Sequence, residues 1–170
     1  MKLIIIKRTI FFLSIANCIL LCAGWIMSLY AYPRLPEKIV VWLSFSDIQS
    51  LYRDKSALFF VYPLSQSLLF ILFFFLPQTP FFKKNRLQKE IKTLAQVQSY
   101  ALLKKEFIYL VLIFFNLVFI HLERSIILVS HGIEKGVSEL YFFSLFGIIL
   151  LLIPYYRIRT KLFFKGEFKS

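Results

Sequence analysis

Five glycines, two cysteines and two histidines are all that occur in 170 residues, and nine acidic side chains stand against 21 Lys and Arg. Each shortage removes a class of chemistry. With glycine this sparse there is no GxGxxG and no GxxxxGK[ST], so the backbone that cradles phosphates in dinucleotide folds and P-loops is missing. HExxH and the nucleophile elbow are absent too. Ser, His and carboxylate groups exist singly, without a complete catalytic constellation, so no enzyme is expected; an intramembrane hydrolase is the remaining enzymatic alternative. Cys18 and Cys22 lie inside the first apolar run, on one side of a helix, and have no metal-type spacing with histidine. They read as small packing residues, acylation being the alternative, although it usually targets the membrane boundary. His121 and His131 are ten apart, which is not helix-face spacing, and a metal site would have to recruit Glu123, Glu134 or Glu139. No cofactor is expected.

Apolar residues make up 59% of the chain, with 21 Phe, and its mean hydropathy is +0.72. A soluble core of this size has no need of so much phenylalanine, whereas a helix crossing a bilayer needs about 20 mostly apolar residues. Four runs qualify, at about 9–31, 57–77, 107–130 and 140–156. The fold class that follows is all-α: an integral membrane protein with four transmembrane helices. A cleaved signal peptide has a similar basic start, but its apolar core is shorter than the first run. Pro63 should kink the second helix.

Net charge is +12, which in a soluble protein would suggest nucleic acid. Its distribution argues for lipid instead, and no nucleic-acid partner is expected. The N-terminus, the loop at 78–106 and the tail together hold 15 basic and 3 acidic residues, while the two opposite loops hold 6 of each. Positive charge collects on cytoplasmic segments, so both termini are expected in the cytoplasm. Trp25, Tyr30, Tyr32 and Trp42 cluster near the outer end of helix one, and Tyr155 and Tyr156 mark the inner end of helix four, as aromatic belts do. Within the basic loop, Leu87, Ile91, Leu94, Val97 and Ala101 recur at helical spacing among lysines. They predict an amphipathic cytoplasmic helix over 85–106, lying on anionic lipid or docking a soluble partner.

The outer loop at 32–56 begins with "YPRLPEKIVVW". Pro33 and Pro36 bias their neighbours toward extended geometry and should end helix one near Ala31. The β-branched and aromatic run at 39–45 is too short to span; it reads as an extended segment on the outer surface or one strand of a small lid. Tyr32, Leu35, Pro36 and Ile39, followed by Lys55 and "FFVYPL", resemble the loop of small bacterial membrane proteins carrying the DUF1648 domain, which are related to the SdpI-type immunity proteins. The resemblance covers about residues 10–76. Val40 stands where that pattern has a second proline, Trp42 where it has a histidine, and its usual glycine is missing. The resemblance implies a helical membrane fold in a bacterial inner membrane. It implies no settled activity, because most such proteins have no assigned biochemical role while some protect cells against secreted toxic peptides.

Polar groups inside the runs are the remaining candidates. Asn17, Ser14, Ser65, Gln66 and Ser67 fit interhelical hydrogen bonding, with a substrate path as the alternative. In "HLER", helical spacing places Asn116, Ile120, Glu123 and Ile127 on one face and His121 and Arg124 on another. Helix three ending near His121 would leave Glu123 and Arg124 at the outer interface and avoid burying charge; placement inside the span would mark a pathway or relay. The function expected is non-enzymatic: an accessory, immunity or sensing protein whose outer loop faces a ligand, peptide or protein partner, with the basic loop as a second docking face. The rival is a small transporter or transporter subunit, expected as an oligomer or with a larger partner, with Asn17, Gln66, Asn116 and Glu123 along its path.

Overall fold

The computed structural model describes residues 2–42, 51–78 and 94–165. Four long helices dominate: α1 (Lys2–Ala31), α2 (Val61–Phe75), α3 (Leu94–Ser130) and α4 (Glu139–Lys165). Between α1 and α2 lies a two-stranded antiparallel sheet, β1 (Lys38–Trp42) and β2 (Leu51–Asp54), flanked by 3-10 turns at Tyr32–Arg34 and Ala57–Phe60. The helices include four stretches, Ile4–Arg34, Ala57–Phe75, Val97–Ser130 and Glu139–Lys161, that are long and apolar enough to cross a membrane. Helices satisfy their own backbone, which lipid cannot do, and large apolar side chains such as Phe12, Leu68 and Leu151 point outward from the bundle. The chain is a multi-pass membrane protein.

Contacts along the helices fix their directions. Ile6 and Ile10 of α1 pack with Leu103 of α3, while Ser28 near the end of α1 meets Glu123 near the end of α3, so these two helices run parallel. Phe74 of α2 stacks on Tyr109, and Tyr156 of α4 meets Phe107 edge to face, so α2 and α4 run the other way. The bundle therefore has a hairpin end and a terminal end. Residues α1, α2 and α3 form the packed unit, and α4 packs chiefly on α3.

Two bounds differ from the sequence reading. Pro63 falls in the first turn of α2, behind the 3-10 turn, where a missing N–H costs nothing, so it starts the helix and does not kink its middle. At the other site, residues 94–106 do not form a separate surface helix; they are the first turns of α3, and residues 85–93 lie outside the described residues. The inward face there is Ser99, Leu103 and Glu106, which leaves Val97 and Ala101 turned out. The phase is inherited from the inward face of the span, where Tyr109, Leu112 and Asn116 pack against α1 and α2. At 37 residues α3 is roughly 55 Å long, against a hydrocarbon thickness of about 30 Å, so it projects beyond the bilayer.

The far end of α3 is set by Gly132. Its φ of 70° is left-handed, Gly132 N–H donates to Val129 O at 2.9 Å, and Ile133 N–H donates to Leu128 O at 2.9 Å. That pair of reversed bonds is a Schellman stop, which glycine adopts without a Cβ penalty. Nothing comparable exists at His121, so the helix runs straight through the charged "HLER" segment.

Candidate functional site

The inner faces of α1, α2 and α3 carry a ladder of buried polar side chains. On α1, Asn17, Gly24 and Ser28 are spaced seven and four apart and so share one face; on α3, Tyr109, Asn116 and Glu123 are spaced seven apart. The middle rung is a relay of carboxamides. Asn116 Nδ2 donates to Asn17 Oδ1 at 2.9 Å, and Gln66 Nε2 donates to Asn116 Oδ1 at 3.1 Å. Asn17 Nδ2 in turn donates to the carbonyls of Leu13 (2.8 Å) and Tyr109 (3.0 Å). All three amides are buried. Gln66 Oε1 has no partner among the described residues and lies against Gly24, where any Cβ would collide with it. Beside this rung, Trp25 Nε1 donates to Ser67 Oγ at 2.9 Å.

One turn of α1 toward the hairpin, Ser28 Oγ donates to Glu123 Oε2 at 3.2 Å. Glu123 is only 1% exposed and its Oε1 has no partner among the described residues. The neighbouring residues of "HLER" go elsewhere. Arg124 is outward and pairs with Glu134 at 3.2 Å. His121 faces α4, its ring 4.2 Å from that of Tyr141 and hydrogen-bonded to the Ser138 backbone. The sequence expectation of an interfacial Glu123 and Arg124 thus divides: Arg124 is at the surface, and Glu123 is inside, because α3 continues to Ser130 and turns that residue toward α1.

Above this acid sits the hairpin. Ile39 and Val40 of β1, Leu35, Ala31, Phe59, Ile126, Val129 and Val137 form one apolar cluster that joins the ends of all three packed helices. Val40 N–H donates to Ser130 Oγ (3.1 Å) and Tyr62 Oη to Val41 O (3.2 Å), fixing β1 to α3 and α2. Lys55 closes the loop: its Nζ donates to the carbonyls of Pro33 (3.2 Å) and Leu35 (3.1 Å) and lies 5.1 Å from the Tyr32 ring centroid. The Tyr32 ring leans on Phe60, 4.9 Å away between centroids. So Tyr32, Leu35, Ile39 and Lys55 come together, with Pro36 half-buried beside them. They brace the loop and face inward. The backbone of Trp42 pairs with Leu51 across a bulge. The outward surface is made by other residues, with a groove of about 570 Å³ lined by Lys38, Tyr52, Arg53, Asp54, Ser56 and Leu58.

At the terminal end, a second buried acid is paired: Arg159 Nη1 donates to Glu106 Oε1 at 2.9 Å and to Tyr156 Oη at 3.3 Å. Sequence reading passed over this pair, as well as Gly24 and Ser28. The signal for the latter two was present, since both continue the face that Asn17 begins. Among the described residues, no three His, Cys, Asp or Glu side chains gather into a metal-ligand set. No family model, no curated protein and no solved structure matches the chain.

Proposed function

We propose that this is a non-enzymatic immunity, sensing or accessory protein of a bacterial inner membrane, of the DUF1648 type. Both termini are cytoplasmic, and the hairpin faces out to meet a peptide or protein. The observation that carries the reading is the braced hairpin: the residues of the loop motif hold it rigidly on the helix ends, and the polar groove on its outward side is left available. The one-sided charge supports the orientation. A transporter subunit is less well supported, because Asn17, Gln66 and Asn116 are engaged with one another as an interhelical hydrogen-bonded rung.

The test uses outward residues only. In a host lacking the chain, Lys38→Glu combined with Arg53→Glu should insert and fold as wild type yet fail to restore the deletion phenotype. Full restoration would remove the hairpin surface from the function.

A further inference from the structure

Glu123 and Glu106 are both buried acids on α3, and they are treated differently. Each has one oxygen without a partner among the described residues, but the other oxygen of Glu106 meets the Arg159 guanidinium at 2.9 Å. The other oxygen of Glu123 meets only the Ser28 hydroxyl. The charged and titratable groups on the elements around it are committed elsewhere. From α2, Tyr62 donates to Val41 O; from the loop, Lys55 is held by the Pro33 and Leu35 carbonyls and lies over Tyr32. On α3 itself, Arg124 reaches out to Glu134 and His121 turns to Tyr141. The facing stretch of α1 offers Gly24 and Ser28, neither of them charged. A carboxylate here would carry a desolvation cost that no cation among the described residues offsets.

The next rung carries an orphan of its own. Among the described residues Gln66 Oε1 is a buried acceptor without a donor, resting on Gly24, which lies one helical turn from Ser28 on the same face of α1. Protonating Glu123 removes the charge and makes its Oε1 a donor, while its Oε2 stays an acceptor for Ser28.

We propose that Glu123 is a proton-binding site within the α1–α2–α3 bundle, held as the neutral carboxylic acid. The ligand is a proton and not a metal cation, since one carboxyl and one hydroxyl fall short of the six or more oxygens that hard divalent ions gather.

The test is infrared spectroscopy of the full chain in lipid at neutral pH. The wild type should show the carbonyl stretch of a protonated carboxylic acid, Glu123→Gln should lose it, and adding sodium or potassium chloride should leave it in place. Absence of the band in wild type, its persistence in Glu123→Gln, or its loss on adding salt would each overturn the proposal. Ser28→Ala keeps the acid and covers the case of a misfolded Gln variant. Without the hydroxyl donor the band should move to higher frequency, and an unmoved band would mean that another acid carries the proton.

Discussion

Asn116 makes two bonds at once: it donates to Asn17 and accepts from Gln66. Asn116→Ala leaves both partners buried with an unmet group, and should cost about 1–3 kcal/mol, since interhelical hydrogen bonds in membranes are individually modest but unsatisfied ones are not. Thermal unfolding in mild detergent reads this directly. Gly24→Ala acts on the same rung from the other side by pushing the Gln66 carboxamide away, and overpacking of this kind costs roughly 1–3 kcal/mol. Gln66→Ala should largely cancel that penalty. A double-mutant cycle between the two positions should show a coupling of about 1 kcal/mol or more, where independent sites would add. At this scale the sequence was half legible. Residue types alone marked Asn17, Gln66 and Asn116 as interior hydrogen-bonding groups. Their partners were not readable, because pairing depends on which helices are neighbours and how each is rotated.

Among the elements, the hairpin and the end of α3 are the parts most open to test. Lys55→Ala removes the ammonium that ties Pro33 and Leu35 carbonyls to β2's exit. Amide hydrogen exchange over 32–42 should speed up, while helix content by circular dichroism stays the same. Gly132→Ala forces an alanine into left-handed backbone and should lower stability by about 1–2 kcal/mol. The spans themselves were legible, because a bilayer demands long apolar runs and few other folds use them. The run-on of α3 through "HLER" was less so. Charges suggest a membrane boundary, but they do not stop a helix, and the residue that does stop it lies eight positions after Arg124. The β1 strand was readable as one of two options from its β-branched residues, and only its partner Leu51–Asp54 decides between them.

On the scale of the whole molecule, the directions of the helices make a prediction about sidedness. In a background with Cys18→Ser and Cys22→Ser, single cysteines at Glu134 and Lys161 should react with a membrane-impermeant maleimide from opposite sides. Glu134 should label in intact spheroplasts, and Lys161 only after the membrane is opened. The reverse pattern would turn the proposed orientation over. Cys18 and Cys22 are free and face outward from the bundle, so a reductant should leave the unfolding midpoint unchanged.

The hairpin also sets how the bundle can move. Its apolar cluster takes residues from the ends of α1 and α3 and from the start of the α2 stretch, so three helices are held together there like the legs of a tripod under its head. The feet are laced as well, by Ile6 and Ile10 of α1, Phe73 and Phe74 of α2, and Leu103, Ile108 and Tyr109 of α3. A tripod tied at head and feet resists splaying at either end. A lipid tail or a partner helix seeking a gap would find it beside α4, which leans chiefly on one leg.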